Sequence, residues 1–128
     1  MNISKFTQKS VQAVQDLEKV AYEYGNQEIE QEHLLYTLLT QEDSLILKLI
    51  EKMEINKEYF LNTVKNALDA KVKVSGGELR FGQYLNKALV NAEDEAKAMG
   101  DEYVSVEHLF LALLKYPSPS MKKIWSEF

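Results

Sequence analysis

Cysteine is absent from the 128 residues, which removes disulfide frameworks, thiolate metal sites and cysteine nucleophiles together. That usage suits a reducing compartment. Proline occurs twice and glycine five times, too little turn-forming material for an architecture of many short strands. Long apolar runs are missing as well: Leu109–Leu114 is the longest, far short of the roughly 20 residues that span a bilayer. The start, Met1-Asn2-Ile3-Ser4-Lys5, is polar and lacks a secretory apolar core, so a soluble, cytoplasmic domain with no membrane partner is expected. Basic clusters are missing too. Acids outnumber Lys and Arg by 20 to 15, giving a formal charge of −5. No stretch interleaves Lys or Arg with aromatics as a phosphate-tracking surface requires, so nucleic acid is not an expected partner.

What is present points to helices. The 45% hydrophobic and 27% charged content is that of a globular protein. A chain of this length buries roughly two-thirds of its unfolded surface, enough for one core without staples. The most informative feature is an internal repeat. Residues 6–39 align without gaps on residues 81–114, at a constant offset of 75, with 11 identities in 34 positions. Among the identical pairs are Phe6/Phe81, Gly25/Gly100, Glu32/Glu107, His33/His108 and Leu38/Leu113.

Val14, Leu17, Ala21 and Tyr24 in the first copy recur at helical spacing, as do Leu85, Ala88, Leu89, Ala92, Ala96 and Met99 in the second. Each set predicts the buried stripe of a long amphipathic helix. Gly25 and Gly100 follow where a left-handed backbone ends a helix at least cost. A second helix is predicted to open near Gln31 and near Val106, the latter with Ser105 as N-cap. Leu45, Leu49 and Met53 predict a third helix. Asn56 as cap, with Tyr59, Phe60, Val64 and Leu68 on one face, predicts a fourth. A loop over about 71–80, holding Val74-Ser75-Gly76-Gly77, joins the units. Pro117 to Ser120 then precedes Met121, Ile124, Trp125 and Phe128, a second edition of the third helix. The expectation is one all-α domain over residues 1–128, with repeats at about 4–70 and 81–128.

For chemistry, the duplicated Glu32-His33 and Glu107-His108 stand out. They would hold a metal only if the two helix starts met across the pseudo-dyad, and neither has the His-Glu-x-x-His spacing that sets two imidazoles on one face. The plainer expectation is an acid complementing the helix dipole and a partly buried His with a backbone partner. No nucleophile with an adjacent base and no phosphate cradle is legible. A non-enzymatic, metal-free domain is therefore expected, against the rivals of a hydrolase or metalloprotein using the Glu-His pairs and of a structural spacer. Tyr22, Tyr36, Tyr103, Phe110 and Trp125 exceed a simple stripe. Most are expected in the core, and a minority beside a groove between the units.

Phe6-Thr7-Gln8-Lys9, the Glu-His-Leu-Leu of residues 32–35, Val74-Ser75-Gly76-Gly77 and above all Gly100-Asp101-Glu102-Tyr103-Val104-Ser105-Val106-Glu107-His108-Leu109 resemble the N-terminal repeat domain of Clp ATPases. The last segment is most similar to the ClpB branch. The resemblance implies a pseudo-twofold bundle of about eight helices, two tandem four-helix repeats, linked to two ATPase modules outside this sequence. It implies a full-length hexamer that hydrolyses ATP with Mg and threads aggregated polypeptide, working with a DnaK-type chaperone. This fragment would be monomeric, hold no cofactor, and capture unfolded or aggregated polypeptide. By the same resemblance Thr7, Asp101 and Glu107 mark a substrate-binding surface beside an apolar groove containing Leu89, with Asn91 and His108 where other members carry leucines. Their plainer roles are helix caps for Thr7 and Asp101 and a first-turn acid for Glu107. The alternative within the family is a ClpC- or ClpA-like domain holding an adaptor or phosphorylated arginine through Thr7, Glu32 and Glu107, with Gly82 where a second Thr is expected.

Overall fold

The computed structural model describes residues 3–128, so the first two residues of the polar start, Met1 and Asn2, lie outside the described residues. The first repeat opens with α1 (Gln8–Gln15) and α2 (Leu17–Glu23), joined at Asp16, whose backbone stays in the right-handed helical region. A two-residue strand β1 (Glu28–Ile29) precedes α3 (Gln31–Leu39), α4 (Leu45–Lys52) and α5 (Lys57–Asp69). After the linker come β2 (Arg80–Phe81), α6 (Gln83–Ala98), α7 (Val106–Lys115) and α8 (Pro119–Ser126). The expected all-α bundle is found, with eight α-helical segments among the described residues.

Local chemistry sets the helix boundaries. The side chains of Thr7, Ser44, Asn56 and Ser118 cap α1, α4, α5 and α8 by accepting the N–H of Ser10 (3.3 Å), Leu47 (3.1 Å), Tyr59 (2.9 Å) and Met121 (3.2 Å). Each satisfies one donor that a helix start leaves orphaned. Gly25 (φ +72°) and Gly100 (φ +74°) end α2 and α6 as their spacing predicted. The N–H of Asn26 reaches Ala21 O at 2.8 Å, and that of Asp101 reaches Ala96 O at 2.9 Å. This closure requires the positive φ that glycine adopts most cheaply.

The two repeats are tied by exchanged strands, a feature the sequence pattern did not predict. β1 pairs in parallel with β2, Ile29 opposite Phe81, while Phe6 forms a parallel bridge with Val104. Thr7 N–H donates to Val104 O at 2.9 Å and Gly82 N–H donates to Ile29 O at 2.8 Å. Both donors and both acceptors are 75 positions apart, so one bond is made twice about a pseudo-twofold axis. Ser10 Oγ adds a buried bond to Val104 O at 2.7 Å.

α3 and α7 pack against each other, and one core runs through both halves, including Leu17, Leu34, Leu38, Phe60, Leu85, Leu109 and Leu113. Each such side chain contributes about 1.5–3 kcal/mol relative to exposure. The core departs from the sequence reading in several places, and Tyr59 and Phe128, expected on the buried faces of their helices, are exposed. α4 buries Ile46 and Ile50, one step round from the predicted stripe, leaving Leu45 and Met53 exposed. Met99, the last member of the second copy's stripe, is exposed where α6 ends.

Candidate functional site

The Glu-His pairs are structural. His33 Nδ1 accepts the backbone N–H of Glu30 at 2.9 Å, and His108 Nδ1 accepts that of Ser105 at 2.9 Å. Each ring then donates its Nε2–H seven residues back, to Asn26 Oδ1 at 3.0 Å or Asp101 Oδ2 at 2.8 Å. Both nitrogens of each ring are occupied in closing a helix start, the role expected of a buried His with a backbone partner. Burial, reinforced by the Lys71 charge, pushes His33 down to about 4. Among the described residues no group of three or more His, Cys, Asp or Glu could hold a metal ion. No described helix is long and apolar enough to cross a membrane.

The predicted surface is assembled in part. Thr7 and Glu107 come together in a groove of about 420 Å³ between the starts of α1 and α7, with Val106, Leu45, Gln41 and Asp43 among its walls. Thr7 caps α1 at the groove edge, and Glu107 stands in the first turn of α7. Two bonds tie the first turn of α1 to the loop after α3 at the rim: Gln41 Nε2 donates to Lys9 O at 2.8 Å, and Lys9 Nζ donates to Glu42 O at 2.7 Å. The groove thus offers an apolar floor at Val106, a carboxylate at Glu107 and a hydroxyl at Thr7. Those groups suit an extended segment with apolar and hydrogen-bonding side chains.

Three expected members do not line it. Leu89 is 2% exposed and lies in the core, because α6 turns that face toward α7. It cannot be a groove wall. His108 is buried and engaged with Ser105 and Asp101. Asp101 is exposed but caps no helix, its carboxylate instead accepting from His108. The alternative pairing of Thr7 with Glu32 also fails, since Glu32 lines a separate depression of about 540 Å³ beside α5 and α8.

Glu32 is the repeat equivalent of Glu107, yet it is 1% exposed. Its Oε2 accepts from Lys71 Nζ at 2.7 Å and Ser120 Oγ at 2.8 Å. Lys71 also reaches Glu30 at 2.8 Å. Burial alone would lower Lys71, but its hydrogen bonds to Glu30 and Glu32 outweigh that and hold it above its ordinary value. The depression on the other side of Lys71, about 440 Å³ and lined by Asn26, Glu30 and Arg80, shares this internally neutralised lysine.

Sequence reasoning missed Gln31. It is 1% exposed, its Nε2 donates to Tyr84 O and Tyr116 O at 3.0 Å each, and its Oε1 accepts the N–H of Ser118 at 2.9 Å. Its repeat equivalent is Val106. The signal lay in the alignment, where a polar amide faces an aliphatic residue directly before the identical Glu-His-Leu. Of the surplus aromatics, Phe110 is in the core, Tyr36 and Trp125 are half-buried against it, and Tyr22 and Tyr103 are exposed.

A helical unit duplicated about a dyad, closed by exchanged strands and twin capping histidines, defines a two-repeat helical domain. The family profile of the Clp repeat (R) N-terminal domain matches residues 5–128, and the chain belongs to that family. Within it the chain is similar to the chaperone protein ClpB of Nitratidesulfovibrio vulgaris, 39% identical over 134 residues, covering 100% of this chain and 16% of that protein. ClpB of Clostridium tetani is 38% identical over 133 residues, covering 100% of this chain and 15% of the relative. The chain therefore spans about a sixth of the length of these relatives. The fold is shared with the Hsp104 N-terminal domain from Candida albicans, with a TM-score of 0.85 at 22% identity, covering 96% of this chain and 81% of that one.

Proposed function

We propose that this Clp N-terminal domain captures unfolded or aggregated polypeptide for a ClpB-type disaggregase, holding an extended client segment in the Thr7–Glu107 groove. The observation that carries the reading is an asymmetry. Of two repeat-equivalent surfaces, one is closed by internal Gln31, Ser120 and Lys71, and the other keeps its carboxylate exposed at a groove whose floor reaches the largely buried Val106. Apolar contact favours loosened over folded clients, because only the former present side chains to remove from water, at about 25 cal/mol per Å². Glu107 biases the choice toward basic or hydrogen-bonding segments. ATP hydrolysis with Mg, hexamer formation and work with a DnaK-type chaperone belong, on this reading, to modules outside this sequence. The domain itself turns over no substrate.

Chemical-shift mapping with an unfolded client tests the reading. Shifts are expected to cluster at Thr7, Val106 and Glu107, and Thr7→Ala and Glu107→Ala should weaken binding while the domain stays folded. Shifts confined to the face around Tyr22 and Glu18, or full affinity in both variants, reject the groove.

A further inference from the structure

Both halves of the molecule satisfy the same backbone carbonyl with a glutamine side chain, from opposite sides. Tyr84 O, in the first turn of α6, accepts from Gln31 Nε2 at 3.0 Å, a bond made from the buried floor by a residue 1% exposed. Lys9 O occupies the equivalent place in the first turn of α1, 75 positions earlier. It accepts from Gln41 Nε2 at 2.8 Å, in an exposed bond made from the rim. Val106 replaces Gln31 on that floor and has no amide to supply.

We propose that the open groove takes the side-chain carboxamide of a glutamine in an extended client segment, in the place that Gln31 fills from within in the sister half. The inference rests on the client-binding reading above and names the group it recognises. A primary amide has two donor hydrogens and an acceptor oxygen, and Gln31 uses all three, on Tyr84 O, Tyr116 O and Ser118 N–H. In the open groove an incoming carboxamide displaces the amide of Gln41 from Lys9 O. The Gln41 bond is exposed and competes with water, so it is weak. A client amide seated over Val106 and flanked by an apolar side chain on Leu45, which is 41% exposed, is shielded from that competition. Glu107 at the same wall turns away an isosteric glutamate by charge repulsion.

The test uses short alanine–leucine peptides that differ only at one central residue, Gln, Met or Glu, titrated into the labelled domain. The Gln peptide is expected to bind about fivefold tighter than the Met peptide, the size of one net hydrogen bond. The Glu peptide should bind weakest. Gln41→Ala, which frees Lys9 O, should raise affinity for the Gln peptide about twofold or more, and raise it more than for the Met peptide. Val106→Gln, which supplies the floor amide internally, should abolish the preference for Gln. Equal affinity for Gln and Met in the wild type overturns the proposal, as does a preference surviving in folded Val106→Gln. If that variant fails to fold, Gln41→Ala decides alone, and an unchanged Gln-peptide affinity overturns it. Binding at Thr7 and Glu107 without a glutamine preference rejects only the carboxamide. Absence of shifts there with every peptide rejects the groove reading itself.

Discussion

Glu32 and Glu107 hold the same position in two copies of one helical unit, and their surroundings are opposite. Glu32 is sealed beneath α5 and α8 with Lys71 and Ser120 on one oxygen, while Glu107 stands exposed at a groove wall. The neighbouring position repeats the contrast: Gln31 makes three hydrogen bonds across three elements of the second repeat, where Val106 makes apolar contact only. Within a pseudo-symmetric frame, one copy of the helix start is cohesive and the other keeps its carboxylate exposed. The difference comes from the first helical residue, Gln31 or Val106, and from what packs over each site, while the histidine bonds of the two helix starts are alike.

The comparison can be broken most forcefully at Lys71. Lys71→Met leaves the Glu32 carboxylate buried without its cation, and urea unfolding should show about 3–5 kcal/mol of lost stability; a loss below about 1 kcal/mol would mean that the sealed acid does not depend on Lys71. Acid should act next, through His33. Unfolded, this imidazole titrates near 6.5, and folded near 4, because burial and then Lys71 disfavour the charged ring. Above pH 6.5 both forms are neutral and the contribution is complete. Between 6.5 and 4 the unfolded chain takes up a proton that the folded one refuses, and about 3 kcal/mol is lost. An NMR titration placing the folded His33 midpoint near its ordinary value would contradict this. Gln31→Val copies the open half into the closed one, and should cost about 1–2 kcal/mol by stripping partners from Tyr84 O and Ser118 N–H. The smallest stability effect is expected from Glu107→Gln, within about 0.5 kcal/mol, together with a measurable fall in client affinity. A large unfolding effect there would place Glu107 among the structural acids.

Much of this molecule is legible in the sequence for a physical reason: duplication shows the same constraint twice. Gly25 and Gly100, the caps at Asn56 and Ser105, and the stripe through Leu17 and Leu85 follow from local rules that act within one or two turns of helix. Local pattern does not decide the α4 face, because Leu45-Ile46-Leu47 and Leu49-Ile50 offer two overlapping apolar stripes, and only packing against α3 and α7 selects Ile46 and Ile50. The strands escaped notice because two residues carry no alternation to detect. The resemblance sets Leu89 beside a groove, although its own spacing with Leu85 and Ala92 assigns it to the buried stripe. The different fates of Glu32 and Glu107 were not legible, since Ser120 lies 88 residues from the acid it contacts and nothing in the local pattern announces that meeting.

The exchanged strands also bear on how the chain acquires its shape. Phe6 finds its partner only at Val104, and Ile29 only at Phe81, so the first half cannot complete its own edges while it emerges from the ribosome. It must wait, partly assembled, until almost the whole domain has been synthesised. Its slow step is then the mutual clasp of the two halves, a distant pairing that loop-closure entropy delays. For the same reason, a nick between Gly76 and Gly77 should leave two fragments that stay together by completing each other.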